Sequence, residues 1–229
     1  MKILAVDTTE QGCSIALVND GIPVCDRYVA GLKNHAVTFL PLVEKMLAED
    51  AGQTLDELDG FVVSRGPGSF TGLRIGLSMV KGLALATGKL VAGISSLDGI
   101  AWRMSHASLP VCAMLDARRG EVYCALYQFE NGVLISKGEE MVVPPEGVLA
   151  MAGDSALFVG SGAVAHSRHI TRELGSGAVF APGFQNSVSA LALAHVFFHD
   201  PHGYLKDPAA LLPVYLRRSD AEINYCKDK

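Results

Sequence analysis

The sequence predicts an α/β chain folded as two like lobes, each a mixed sheet with helices packed on it. Three observations predict this. An apolar strand ending in aspartate, followed by a hairpin, occurs at the start of the chain and again near its middle. Alternating helical and strand patterns follow each hairpin. The length of 229 residues, nearly half of them apolar, suits one large domain or two lobes with a substantial core.

In the first half, Ile3 to Val6 is an apolar run that meets Asp7, and Ser14 to Val18 is a second strand. Asn19-Asp20-Gly21 is a hairpin turn leading to a third strand, Ile22 to Val29. A helix is expected near Leu32 to Glu49, then strand Phe61 to Ser64, helix Phe70 to Thr87 and strand Leu90 to Ile94. The next helix is capped by Ser95 or Ser96. The second half repeats the opening: Val111 to Leu115 ends in Asp116, 109 residues after Asp7. Glu121 to Phe129, the turn Glu130-Asn131-Gly132 and Val133 to Ser136 complete the second hairpin unit. Helices near Pro145 to Ala152, Ala163 to Leu174 and Val188 to His199 surround a strand at Leu157 to Gly160. A β-β-β-α-β-α order occurring twice is the plan of the actin and sugar-kinase superfamily. The boundary falls near Ala107 to Pro110, giving lobes 1–108 and 109–229. No low-complexity linker marks it, so the lobes are expected to be firmly joined.

Composition excludes several classes. A net charge of −5 and a pI near 5.8 argue against broad electrostatic adhesion to nucleic acid or anionic membrane. Cys13, Cys25, Cys112, Cys124 and Cys226 contain no CxxC pair and read as free thiols, mostly buried, in a reducing compartment. The first residues run straight into a strand rather than a signal peptide, and no uninterrupted apolar stretch has membrane-spanning length. The expectation is a soluble cytoplasmic protein.

Arg65 to Gly76 is the most distinctive segment, reading RGPGSFTGLRIG. Four glycines and a proline fix the backbone path, and Ser69 stands where a helix N-cap would. The segment is either a strand-to-helix connection needing close packing or a site where helix amides face an anion or a partner backbone; it is not a phosphate-binding loop of the GxxxxGK[ST] type, since no Lys-Ser or Lys-Thr follows. On a helical wheel the apolar residues after Ala36 spread over roughly 260°, more than a helix lying on one sheet needs. The helix after Ser69 is similar, with Arg74, Ser78 and Lys81 sharing one narrow polar face and Gly68, Gly72 and Gly76 recurring every four residues. Both helices are either sandwiched in one core or form an apolar face that meets another subunit, and the second reading is preferred. The partner-binding candidates are His35, Phe39, Val43, Met46, Gly68, Phe70, Gly72, Leu73, Gly76 and Val80.

Catalytic groups are sparse. Asp7, followed by Thr8 and Thr9, stands where actin-like nucleotidases place a metal-binding carboxylate and phosphate-facing hydroxyls, although a turn aspartate reads the same way. With Arg118 these are the candidates to face a nucleotide phosphate, and an autonomous nucleotidase using Asp7 is the alternative function. His195 and His199 lie four apart on a helix but lack an HExxH glutamate, and His166 and His169 lie three apart; all read as surface groups. A zinc peptidase at the first pair is the third reading.

The runs ILAVDTT from Ile3, RGPGSFTGLRIG from Arg65, SSL from Ser95, DARRGEVY from Asp116 and PVYLR from Pro213 resemble those of the bacterial TsaB (YeaZ) family over nearly the whole chain. The resemblance implies an actin-like two-lobe fold. It also implies a role in making threonylcarbamoyladenosine beside the anticodon of tRNAs that read codons starting with A. In that family the paralogue TsaD transfers the threonylcarbamoyl group and holds a metal through an HxxxH pair. The matching positions here are His35 and Phe39, so half of that pair is missing. The resemblance therefore implies a non-catalytic subunit with no metal or cofactor of its own. It would bind and activate TsaD, help recruit the TsaE ATPase, pair with itself through its first-lobe helices and meet tRNA only indirectly. ATP or ADP would be held, if at all, at the complex interface.

Overall fold

The structure, a computed structural model, describes residues 1–31 and 35–217, with the side chains of His35 and Ala36 outside that description. The first sheet is built from β1 (Lys2–Asp7), β2 (Cys13–Asn19), β3 (Ile22–Val29), β4 (Gly60–Ser64) and β5 (Leu90–Ile94). Its helices are α1 (His35–Lys45), continued by a π-helical turn at Met46–Ala51, then α2 (Phe70–Thr87) and α3 (Ser96–Trp102). The second unit comprises β6 (Val111–Arg118), β7 (Glu121–Glu130), β8 (Val133–Lys137), β9 (Met141–Val143), β10 (Ala156–Val159) and β11 (Ala178–Phe180). Among these strands lie α4 (Pro145–Ala152), α5 (Ser161–Ala165) and α6 (Ser167–Leu174). The chain then runs through α7 (Ala190–His199), α8 (Pro201–Tyr204) and β12 (Leu205–Lys206).

The duplication is real in three dimensions. The sheets run β12-β5-β4-β1-β2-β3 and β11-β10-β6-β7-β8, so β1, β2, β3, β4 and β5 correspond in order to β6, β7, β8, β10 and β11. In both, the first strand pairs antiparallel with the second and parallel with the fourth. The hairpins close through Asp20-Gly21 and Asn131-Gly132, all four with positive φ, the two-residue turn whose twist matches the strands it joins.

Three apolar clusters divide the molecule into layers. One face of the first sheet packs on α1 and α2 through Leu4, Val6, Phe39, Val43, Leu73 and Val80. The outer face of the second sheet packs on α4 to α6 through Cys112, Met114, Val148 and Ile170. Between the sheets lies a shared core containing Ile3, Ala16, Leu97, Ile100, Leu115, Leu193 and Phe197. Helices α3 and α7 therefore occupy the middle of an α-β-α-β-α stack, the actin-like two-lobe arrangement, with each sheet covered on both faces.

The expected boundaries need one correction. The lobe drawn as 109–229 does not keep its C-terminal part: α7 packs against β1, β2 and β4 of the first sheet. Strand β12 then pairs antiparallel with β5, and Val214 N donates to Arg65 O at 2.8 Å. The cause is the composition of α7, whose Ala190, Ala192, Leu193, Ala194, Val196 and Phe197 are all buried. A helix apolar on so many sides needs cover from both sheets. The helix expected near Ala163 to Leu174 is two helices, α5 and α6, broken at His166 (φ −108°, ψ 12°). Ser69 and Ser95 are the observed N-caps, accepting from Gly72 N at 3.3 Å and Leu97 N at 3.2 Å.

Candidate functional site

Two surfaces invite function: the cleft between the lobes and the outer face of the first lobe. The cleft measures about 1200 Å³ and opens beside the start of α2, with Gly68, Ser69, Phe70 and Thr71 on one wall. Asp116, Arg118, Tyr123 and Ser161 form the opposite wall.

Asp7, at the end of β1, is enclosed and does not line this cleft. The carboxylate is 2% exposed, and its Oδ1 accepts from Thr9 N at 3.2 Å, Thr9 Oγ1 at 2.6 Å and Ser64 Oγ. Burial pushes its pKa up, and the hydroxyl and amide donors only partly offset this. A carboxylate so enclosed is a structural knot tying β1 to β4, and it does not fit a magnesium ligand, which needs open oxygen and room for water. Thr8 is equally enclosed, its Oγ1 donating to Gly72 O at 2.7 Å. Of the four phosphate-facing candidates, Thr9 and Arg118 line the cleft, whereas Asp7 and Thr8 are buried and do not. Arg118 sits at the bulged end of β6 with φ 61°, its backbone N–H donating to Asp116 Oδ1 at 2.8 Å.

Much of the cleft comes from residues that carry no recognisable spacing. Glu10 is pushed up by burial, and also faces the charges of Asp7 and Asp116; Val188 N donates to its Oε2 at 2.9 Å. Arg103 donates to Ser187 O at 3.0 Å and Phe184 O at 3.3 Å, which fixes the loop bearing the exposed Phe184 ring. Burial lowers the Arg103 pKa against the opposing effect of Asp26. The C-terminal strap crosses the mouth: Tyr215 stacks on Phe70 at 4.8 Å, and Arg217 donates to Glu121 Oε2 at 2.9 Å. Phe70, Glu121, Tyr215 and Arg217 belong to the distinctive sequence runs, whereas Glu10, Arg103 and Phe184 belong to none.

The partner-binding candidates are placed differently from expectation. Phe39, Val43, Met46, Leu73 and Val80 are all at most 1% exposed, packed on the first sheet. They build the lobe and are not themselves available to a partner. The glycine notches face inward as well: a Cβ at Gly72 would stand 2.0 Å from Thr8 O, and one at Gly76 would stand 2.3 Å from Thr8 Oγ1. Their task is to let α2 approach the β1–β2 connection within the protomer. Gly68 and Phe70 are half-buried on the cleft rim. The side chain of His35 lies outside the described residues.

What α2 leaves outside is still unusual. Thr71, Ile75, Ser78, Gly82, Leu85 and Ala86 share one helical face by their spacing. None carries charge, and all are exposed except the half-buried Ile75. Leu85 is 69% exposed, as is Val37 on α1, with Leu40 at 41%. A Cβ at Gly82 would meet nothing within 4 Å.

The remaining candidates supply no recognisable active site. Cys13, Cys112 and Cys124 are buried free thiols and Cys25 is half-buried; burial raises the pKa of each. Cys226 lies outside the described residues. Among the described residues, no three His, Cys, Asp or Glu side chains converge as a metal site, and no helix is long and apolar enough to cross a membrane. His169 lies 3.5 Å from Glu146 and 3.1 Å from Arg172, a surface cluster.

Residues 30–200 match the family model described as TsaD, tRNA N6-adenosine threonylcarbamoyltransferase. The tRNA threonylcarbamoyladenosine biosynthesis protein TsaB of Bacillus subtilis is 32% identical, with 100% of each chain covered. The protein of the same name from Escherichia coli is 41% identical over 150 residues, 64% of each chain. Among solved structures, YeaZ from Pseudomonas aeruginosa superposes with a TM-score of 0.79 at 32% identity, covering 94% of this chain and 99% of that one. With full-length similarity in sequence and the same two-lobe architecture, the chain belongs to the TsaB family.

Proposed function

We propose that this chain is an accessory subunit of the machinery that makes threonylcarbamoyladenosine on tRNA. Its work is to dock to, and thereby activate, a TsaD-type transferase. The observation that carries this reading is the uncharged stripe Thr71, Ile75, Ser78, Gly82, Leu85 and Ala86 on the outside of α2, bordered by Arg74 and Lys81, beside exposed Val37 and Leu40 of α1. A glycine inside an exposed helix costs about 1 kcal/mol relative to alanine, and nothing within this protomer requires one at Gly82. Close approach of a second helix supplies the reason. The TsaD family match makes a paralogue with a related lobe the fitting partner, the two helix pairs packing as a bundle.

The same face serves a second copy of this chain when the transferase is absent. A TsaE-type ATPase joins the assembled pair, and any ATP or ADP sits at the heteromeric seam. The net charge of −5 supports a division of labour in which the transferase holds the tRNA, in the cytoplasm. The enclosure of Asp7 supports an accessory role over the alternative of an autonomous nucleotidase.

Reconstitution tests the reading. Threonylcarbamoyladenosine on an unmodified tRNA is followed by mass spectrometry, using the transferase and ATPase subunits, ATP and the threonylcarbamoyl adenylate as donor, with and without this chain. Modification is expected only when the chain is present, and the chain alone is expected to neither modify tRNA nor turn over ATP. Full modification without it, or ATP turnover by the chain alone that Asp7→Ala abolishes, overturns the proposal.

A further inference from the structure

His195 and His199 lie one turn apart on α7, both exposed, and the docking reading makes no use of them. Their Nε2 atoms stand 3.3 Å apart. In the metal-free chain that distance is a long N–H···N hydrogen bond between two neutral rings. It matches another geometry: two imidazole nitrogens on one tetrahedral ion at about 2.0–2.1 Å stand roughly 3.3–3.4 Å apart. The rings agree. Their centroids are 4.9 Å apart and their planes cross at 82°, so they meet edge to face and do not stack.

Trp102, the last residue of α3, underlies the pair. Its ring centroid is 4.2 Å from that of His199, tilted 32°, and 5.6 Å from that of His195 at 68°. Trp102 is itself 8% exposed and part of the shared core. The histidines thus rest on a rigid floor, and little rotamer freedom is left to lose when a ligand arrives.

We propose that His195 and His199 form an open two-histidine site for a divalent late transition-metal ion of the zinc, nickel or copper class, with water completing its shell. Imidazole favours these ions, whereas magnesium and calcium prefer oxygen ligands. This departs from the expectation of a chain with no metal of its own. The site lies on α7, away from the outer face of α2, so its fate is independent of the docking proposal. Bound metal would clip the last turn of the helix that joins both sheets and would stabilise the folded state by mass action.

Trp102 is the only tryptophan in the chain, which gives the site its own reporter. Nickel chloride is titrated into the purified chain near neutral pH while tryptophan emission and the thermal midpoint are followed. The expected result is saturable quenching at one ion per chain, reversal by a chelator, and a midpoint that rises with nickel. His195→Gln and His199→Gln should each weaken binding by about tenfold or more, while His166→Gln leaves it unchanged. Circular dichroism of each variant separates lost binding from lost folding, and zinc competing with nickel tests the same site in the unaltered chain. Unsaturable quenching, equal quenching in both histidine variants, or a midpoint indifferent to nickel overturns the proposal.

Discussion

Gly72→Ala is expected to destabilise the folded protomer by about 3 kcal/mol, at the upper end of the cost of overpacking a closed site. The added methyl would stand 2.0 Å from the backbone oxygen of Thr8, and a backbone atom cannot rotate aside. Thr8 is held there because its own Oγ1 donates to Gly72 O at 2.7 Å, while Ser69 N donates to Thr9 O at 2.8 Å. Gly76→Ala should cost less, since its methyl meets a side-chain hydroxyl, Thr8 Oγ1. Gly82→Ala should instead stabilise the isolated protomer by about 0.5–1 kcal/mol, because alanine loses less backbone entropy and meets no neighbour. Urea unfolding of the three variants checks the series. Equal effects at all three positions would show that the inward and outward glycines are not distinguished as described.

Leu85→Glu is expected to weaken the complex with a TsaD-type partner by at least about 2 kcal/mol, roughly 30-fold. Its effect on the protomer should stay within about 0.5 kcal/mol. The reasoning is that a 69% exposed leucine contributes little to its own fold. In a dry helix–helix seam the same position would force a carboxylate out of water where a leucine packs, a cost that the pair with Lys81 one turn earlier offsets only in part. Titration calorimetry measures the affinity, and urea unfolding the stability. Unchanged affinity in a well-folded variant would remove this face from the interface.

Much of the architecture was legible because local chemistry dictates it. Asp20-Gly21 and Asn131-Gly132 announce two-residue turns, since only residues tolerant of positive φ close such hairpins. The apolar runs before Asp7 and Asp116 mark central strands covered on both faces. The position of α7 was not legible. Its apolar residues predict a buried helix without saying which sheet receives it, and the two residues of β12 are too few to show a period. This is why the lobe boundary failed for the C-terminal segment.

The site divides along the same line. Asp7 has the residue type and position of a metal ligand, yet Ser64, 57 positions away, helps to enclose it. The apolar arcs of α1 and α2 revealed a surplus but not which part the first sheet covers. The arithmetic of a helical wheel cannot rank Phe39 above Val37, although one is buried and the other 69% exposed. Glu10, Asp26, Arg103 and Phe184 reach the cleft from separate segments, so no motif links them.

Hydroxyl-radical footprinting of the chain, alone and with the transferase subunit, tests the central claim most directly. The account predicts that protection on complex formation concentrates at Val37, Leu40, Ile75, Met79 and Leu85, with Phe184, Tyr28 and Val164 at the cleft rim as reactive as before. Protection confined to those three rim residues, with Leu85 and Val37 still open to oxidation, would contradict it.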